Sequence, residues 1–137
     1  MLTQNPNQRI LVVSQQNTAV DNALSRFKDK NIKLVENSVN IVRIGKLEKI
    51  EESLVEHHFD SLYDDFLVEA IEDVNRSVHK LPDKLQNLSY QWKAVLVKMQ
   101  ASHDSKVSDE FFSVMLANKN LIGATCVGLA ARKKGVD

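Results

Sequence analysis

Residues 9–24, RILVVSQQNTAVDNAL, decide the fold. The apolar run Ile10–Val13 is rich in β-branched residues and is typical of a strand buried in a parallel sheet. Polar residues follow, and Asn17 or Thr18 can cap a helix that carries Asp21 in its first turn. Apolar residues three or four positions apart give this helix one apolar face, formed by Val20, Ala23, Leu24 and Phe27. The segment therefore predicts a strand that leads directly into a helix.

Two further apolar runs predict short strands. Asn40–Gly45 reads as a strand ended by glycine, and Leu121–Thr125 as a third, buried strand. The order strand, helix, strand, helices, strand favours an α/β fold, in which a partial parallel sheet carries a helical arm. We therefore assign residues 1–46 and 119–137 to the sheet and residues 47–118 to a helical insertion. Three short strands leave sheet faces uncovered, so we expect this piece to be marginally stable alone.

The insertion has a heptad pattern. Its apolar residues alternate steps of four and three, a spacing typical of packed helices: Leu67, Ile71, Val74, Val78, Leu81, Leu85, Leu88, Trp92, Val95 and Met99. Pro82 interrupts the pattern, which favours two antiparallel helices with a turn near residues 81–83. One kinked helix that keeps its heptad phase is the alternative. Trp92 is predicted to pack in the seam, and a further helix is predicted to start at Ser108, which can cap it.

Composition narrows the class of function. The formal net charge is zero, so a nucleic-acid surface would have to be local and built largely from neutral polar groups. The single cysteine, Cys126, excludes an internal disulfide, and no apolar run has the length of a membrane span. We therefore expect a cytoplasmic protein, or a nuclear one, without a membrane partner. The adjacent histidines His57 and His58 are predicted to lie on a solvated helix surface.

Two polar segments follow predicted strands, where open parallel sheets bind their ligands. They are Ser14–Asp21 and Thr125–Gly128. Each offers hydroxyl or amide groups and backbone N–H groups, and the first opens a helix whose N-terminus favours an anion. Phosphate of a nucleic-acid backbone suits such a surface. A helix cap without any ligand would explain the same residues.

Motifs at both segments resemble those of one family. Ser-x-x-Asn-x-Ala-Val-Asp at residues 14–21 resembles motif Ia of superfamily 1B helicases, the group that includes the nonsense-mediated-decay helicase and senataxin. Ile41–Gly45 resembles the family's next strand, and Ala124–Gly128 resembles motif Ic. The order and separations agree over nearly the whole chain. The resemblance implies a P-loop (RecA-like) motor domain with a stalk-type helical hairpin inserted in it.

In this family, motifs Ia and Ic line the groove for single-stranded DNA or RNA. The resemblance therefore implies a strand-binding set of Ser14, Gln15, Asn17, Thr18, Thr125, Cys126 and Gly128. Gly128 would let the nucleic-acid backbone come close. Asp21 is expected to hold the helix start, because its charge would repel phosphate. Arg43 belongs to the same candidate set. It could pair either with phosphate or with an acidic residue inside the fold, and both alternatives stay open.

Other motifs of the family are missing from these 137 residues. The chain has no Gly-x-x-x-x-Gly-Lys-Ser/Thr phosphate loop, which we expect upstream, and no magnesium-binding Asp-Glu motif, which we expect downstream. ATP and magnesium are thus expected for a longer parent protein, together with the rest of the helicase core as a partner. This chain alone is expected to hydrolyse no ATP. A helical coiled-coil interaction module without enzymatic activity is the alternative function.

Overall fold

The structure is a computed structural model that describes residues 2, 4, 5, 7–101 and 109–133. Within these residues the fold is mixed α/β. In chain order the elements are β1 (Ile10–Ser14), α1 (Asn17–Lys30), α2 (Ile32–Asn37), β2 (Ile41–Ile44), α3 (Phe59–Ser77), α4 (Asp83–Ala101), α5 (Asp109–Ala117), β3 (Leu121–Thr125) and α6 (Cys126–Lys133). Short 3-10 helices cover Leu47–Lys49, Glu52–His57 and Val78–Lys80. Ser108, the predicted cap of α5, lies outside the described residues.

The chain separates into two units. Met1–Phe59 and Val107–Asp137 form a sheet unit, and Asp60–Lys106 form a helical unit. The helical unit is shorter at both ends than the predicted insertion, residues 47–118. Contacts inside the sheet unit give the reason. Leu54, which precedes α3, is fully buried in the core beside the sheet.

The three strands form one parallel sheet in the order β1–β3–β2. The last strand in sequence therefore lies between the first two. β1 pairs with β3 from Ile10 opposite Leu121 to Ser14 opposite Thr125, and Ile41 of β2 is also opposite Leu121. The small parallel sheet expected from the sequence is confirmed. Because all three strands run in one direction, their carboxyl ends lie at one edge of the sheet.

Helix α1 packs over β3. Val20 and Leu24 are fully buried, and they share a core with Leu2, Val39, Ile41, Leu54 and Leu121. Gly123 of β3 lies beneath them, and a Cβ atom built on it would be 2.5 Å from Leu24 Cδ1. Ala23, predicted for the apolar face, is exposed. Asp21 is buried on that face instead, because it has an internal charged partner.

Strand β1 is covered on one face only among the described residues. Leu11 is 54% exposed and Val13 is 42% exposed, whereas the residues between and beside them are partly buried. The prediction of a fully buried strand is therefore wrong for β1. It holds for β3, which is buried along its whole length, and β2 is buried along its whole length as well. An apolar strand face of this kind requires a cover that these residues do not supply.

The amino-terminal edge of the sheet uses its polar groups inside the fold. The Asn40 backbone N–H donates to Asn120 Oδ1 at 2.9 Å, and the Asn120 N–H donates to the Asn40 carbonyl at 2.9 Å. Arg9 Nη2 donates to the Leu116 carbonyl at the end of α5, at 3.0 Å. At the amino-terminal edge these hydrogen bonds therefore satisfy backbone groups that would otherwise need another partner.

The segment before α3 is fastened to α1. The Glu51 N–H donates to Asp21 Oδ2 at 3.1 Å. Lys28 Nζ donates to the Ser53 carbonyl at 3.1 Å and also pairs with the Glu56 carboxylate. This segment therefore belongs structurally with the sheet.

Within the helical unit, the chain breaks at the position that Pro82 predicts. Helix α3 ends at Ser77, and Leu81 is extended with φ −95° and ψ 149°. Extended backbone is the preferred state of a residue before proline. Helix α4 begins at Asp83, so the single kinked helix is not formed. The antiparallel packing of α3 against α4 stays a prediction.

The heptad seam is only partly buried. Leu67 and Val78 are buried, whereas four seam residues of α4 are 45–60% exposed, namely Leu85, Leu88, Trp92 and Val95. The interpretation of Trp92 as a core residue is therefore wrong. Leu96, outside the heptad series, is the buried residue of α4, so the buried face of this helix is rotated from the predicted one. Among the described residues, no helix has both the length and the apolar character to span a bilayer.

Candidate functional site

Ser14 and Thr125 lie side by side where their strands end. They are the last register partners of β1 and β3. Helix α1 begins shortly after Ser14, and α6 begins directly after Thr125. The two polar segments singled out in the sequence therefore meet at one surface. We name this surface, residues 14–18 and 125–128, the carboxyl edge.

Thr125 and Gly128 form the start of α6. Thr125 is 8% exposed, and its Oγ1 accepts a hydrogen bond from the Gly128 N–H at 3.1 Å. This is the bond of an N-cap residue to the third helical position. A Cβ atom on Gly128 would lie 3.0 Å from that same oxygen. Glycine at position 128 thus leaves room for the Thr125 cap. The cap alone explains a glycine here, without the predicted close approach of a nucleic-acid backbone.

Helix α1 starts without a side-chain cap. Its first residue is Asn17, its N-cap residue is Gln16, and Gln16 makes no capping bond. The prediction that Asn17 or Thr18 caps the helix is therefore wrong. Ser14 Oγ accepts the Gln16 N–H at 3.3 Å and tightens the turn. The backbone N–H groups of the first helical turn have no intrahelical acceptor and lie at the positive end of the helix dipole.

The predicted contact residues differ in accessibility. The exposed ones are Gln15, Thr18 and Cys126, and the half-buried ones are Ser14, Asn17 and Gly128. None of these six residues is an aspartate, glutamate, lysine, arginine or histidine. The carboxyl edge is thus a neutral surface of amide, hydroxyl and backbone N–H donors, which suits an acceptor-rich ligand such as a phosphodiester.

Arg43 lies beneath this surface and does not reach solvent. It is fully buried, and its Nε donates to Asp21 Oδ1 at 2.6 Å. Its Nη2 donates to Asn17 Oδ1 at 2.9 Å, and its Nη1 donates to the Ile44 carbonyl. Asp21, 4% exposed, accepts the Glu51 N–H with its other oxygen. Both charges of the pair are thus held inside the fold.

These contacts answer the question that the sequence left open. Arg43 pairs with an acidic residue, so a direct bond from its guanidinium to phosphate is not supported. Asp21 does not hold the helix start, because it lies beyond the first turn and binds Arg43 and the Glu51 N–H. One sequence signal could have decided this. A charged residue inside the apolar strand Ile41–Ile44 requires an internal partner, since an unpaired buried charge is very costly.

The two adjacent histidines are not on a solvated helix surface, so that prediction is wrong. His58 is 1% exposed, and its Nε2 lies 2.6 Å from the Gly45 carbonyl. Because a carbonyl only accepts, this His58 nitrogen carries the proton. His57 is half-buried at the end of a 3-10 helix. Burial, followed by the positive charge of Lys28, lowers the pKa of His57 below its ordinary value of 6.5.

The lowered pKa of His57 predicts a loss of stability on acidification. As the pH falls, His57 of the unfolded chain is protonated near pH 6.5, whereas His57 of the folded chain is protonated only at a lower pH. Acidification therefore favours the unfolded chain, and the free energy of unfolding falls as the pH falls through this window. Urea denaturation between about pH 7.5 and about pH 5.5 measures the fall. We expect a flatter pH profile for His57→Gln. The matched control is His79→Gln at an exposed position, which keeps the wild-type profile. Identical profiles in both variants would exclude His57 as the cause.

The described residues do not fit an ATP–magnesium site. The turn between β1 and α1 contains no glycine and no lysine, and no phosphate loop occurs in the sequence. Over the described ranges, no group of three His, Cys, Asp or Glu side chains could hold a metal ion. The basic side chains of residues 132–134 lie outside the described part.

A family model described as an AAA domain matches residues 1–133, which is nearly the whole chain. The match supports a P-loop helicase-type domain. Among curated proteins, no sequence matches the chain.

Proposed function

The chain belongs to the AAA domain family, and on that premise we propose that it is part of a superfamily 1B helicase core that grips single-stranded nucleic acid. Its contribution is the carboxyl edge, where the motif Ia and motif Ic segments hold one strand of DNA or RNA. The parent motor would couple ATP hydrolysis to movement along that strand.

The adjacency of Ser14 and Thr125 carries the proposal. These residues are more than one hundred positions apart in sequence, yet they end neighbouring strands. Two helices start at the same edge, so the positive ends of both helix dipoles lie there, together with first-turn N–H groups other than the Gly128 N–H, which Thr125 accepts. Convergent neutral donors of this kind favour a phosphodiester backbone and read little base sequence.

The neutral character of the carboxyl edge predicts how binding responds to salt. The salt dependence of nucleic-acid binding reports the number of phosphates neutralised by lysine and arginine. Residues 14–18 and 125–128 include no lysine or arginine, and Arg43, which lies beneath them, is buried and paired with Asp21. Binding by this chain should therefore be modest in affinity and shallow in its dependence on salt.

The uncovered face of β1 supports the view that more of the motor packs on this sheet. Leu11 and Val13 present apolar surface that no described residue covers. In a P-loop motor, further strands and helices would cover such a face. We propose that those segments, outside these 137 residues, also supply the phosphate loop and the magnesium ligand.

Introducing a negative charge at the carboxyl edge tests the proposal. Gln15→Glu and Thr18→Glu each place a carboxylate at an exposed position of the edge. We expect each variant to weaken binding of a fluorescent oligothymidine or oligouridine about tenfold, because like charges within a few ångströms repel by about 1–2 kcal/mol at a protein surface. Fluorescence anisotropy at low and at moderate salt measures the change.

Gln8→Glu is the matched control. Gln8 is exposed and precedes β1, whereas Gln15 follows it, so the two variants change the total charge equally at opposite edges. Wild-type affinity in Gln8→Glu would locate the ligand at the carboxyl edge. Equal losses in the two glutamine variants would mean that net charge alone governs binding, and would remove the edge as the site.

The second candidate function, a helical interaction module, has one observation in its favour. Four apolar side chains of the α4 seam are exposed, as a partner-binding helix would require. This reading leaves the paired strand ends and the AAA domain match without a role. The oligonucleotide experiment separates the two, since an interaction module would show no edge-specific binding.

A further inference from the structure

The guanidinium of Arg43 is held on every side. Its three nitrogens donate to Asp21 Oδ1, Asn17 Oδ1 and the Ile44 carbonyl. Asp21 is fixed in turn, because its other carboxylate oxygen accepts the Glu51 N–H at 3.1 Å. A planar fork with this many partners has a single orientation, which a lysine ammonium cannot reproduce.

Gly45 leaves room for this arrangement. A Cβ atom at this position would lie 3.1 Å from Arg43 Nη1, and the backbone there has φ +153°, which side chains rarely adopt. Glycine at the end of β2 thus allows the guanidinium to reach the Ile44 carbonyl. Arg43 is therefore held both by a carbonyl of its own strand, β2, and by two side chains of α1.

The fixed orientation of the Arg43 guanidinium determines which way the Asn17 amide points. A guanidinium has donors and no acceptor, so the Asn17 atom facing it must be the oxygen. The amide is planar, and its NH2 group therefore points away from Arg43. Asn17 is half-buried at the first position of α1, within the carboxyl edge. Its two N–H donors are thus turned from the buried ion pair toward the surface.

We propose that Arg43 is a positioning residue that presents the Asn17 amide donors to an acceptor oxygen of the bound strand. The inference rests on the proposed function, because the ligand is single-stranded nucleic acid. Arg43 touches no nucleic acid itself. Its positive charge stays paired with Asp21, and its effect on binding passes through the orientation of one side chain.

Nuclear magnetic resonance of the full chain tests this with two readouts. The Asn17 side-chain NH2 signals, identified by their loss in Asn17→Asp, report order and contact with oligothymidine. We expect Arg43→Lys to make this NH2 group more mobile and to weaken oligothymidine binding about tenfold, the order expected for a hydrogen bond to a charged acceptor. In the Asn17→Asp background, Arg43→Lys should cause no further loss of affinity. Arg26→Lys, at an exposed position of α1, is the matched control and should change neither readout.

Asn17→Asp tests the same amide without altering Arg43. The aspartate keeps the oxygen that accepts from Arg43 and removes the two donors. We expect a folded variant with about tenfold weaker binding, whereas Asn22→Asp, an equal charge change at an exposed site of α1, binds as wild type. Wild-type affinity in Asn17→Asp would overturn the proposal even if Arg43→Lys fails to fold.

The outcomes distinguish this inference from the proposed function. An Asn17 NH2 group that stays ordered in Arg43→Lys overturns the positioning role, whatever the oligonucleotide does. If oligothymidine shifts no carboxyl-edge signal of the wild type, the proposed function is overturned. The assignment of nucleic acid as the ligand of the Asn17 amide is then overturned as well.

Discussion

Replacing Asp21 with asparagine is expected to lower the free energy of unfolding by about 3–5 kcal/mol, the usual cost of breaking a buried ion pair. The substitution keeps the side-chain volume but leaves the fully buried Arg43 guanidinium without its counter-charge. A domain of this size is stabilised by only about 5–15 kcal/mol in total, so the loss is a large fraction. Urea denaturation followed by circular dichroism measures it.

Two comparisons identify the cause of that loss. Asp29→Asn makes the same change at an exposed position of α1 and should alter stability by less than about 0.5 kcal/mol. Replacing the pair together, with Asp21→Leu and Arg43→Met, should recover most of the stability, because no unpaired charge remains. If Asp21→Asn were as stable as Asp29→Asn, the buried pair would not exist in solution.

The second large effect is expected at Gly123, where valine should cost about 1–3 kcal/mol by overpacking. Even a bare Cβ atom there would lie 2.5 Å from Leu24 Cδ1 and 2.9 Å from Val20 Cγ1. Both of those side chains are fully buried, so they have little room to move. Thermal or urea denaturation should show a graded loss from glycine through alanine to valine.

The control is a double variant in which the side chain above Gly123 is shortened. Leu24→Ala alone removes core volume and destabilises the protein, yet combined with Gly123→Val it removes the atoms that the valine would clash with. The cost of the double variant should therefore be smaller than the sum of the two single costs. Additive costs, or an unaffected Gly123→Val variant, would mean that α1 does not pack directly on β3.

The strands and the main break between helices could be predicted from sequence, because their signals are local. Apolar runs such as Ile10–Val13 favour strands wherever they occur, and Pro82 ends a helix by its own chemistry. The parallel order of the sheet followed from the alternation of strands and helices. The exposed face of β1 could not be predicted from the sequence, because burial depends on which other segments cover the strand.

The carboxyl edge could be predicted only in outline. That Ser14 and Thr125 end their strands at the same edge follows from the parallel arrangement, whereas the strand order that makes them neighbours is seen only in the structure. That Thr125 caps α6, and that Asn17 accepts from Arg43 without capping α1, depends on side-chain geometry that spacing does not encode. The exposed Trp92 has the same kind of cause, since a heptad gives a spacing but not the partner that buries it.

Protection of Cys126 tests the central claim most directly, because this exposed residue is the chain's single cysteine and lies on the carboxyl edge. The rate at which a thiol reagent modifies it can be measured with and without saturating oligothymidine. The control moves the cysteine to the other edge, in a Cys126→Ser variant that also carries Gln8→Cys. We expect the oligonucleotide to slow modification of Cys126 several-fold and to leave the cysteine at position 8 unaffected. Equal rates at Cys126 with and without bound oligonucleotide would contradict the claim that a nucleic-acid strand lies across these two strand ends.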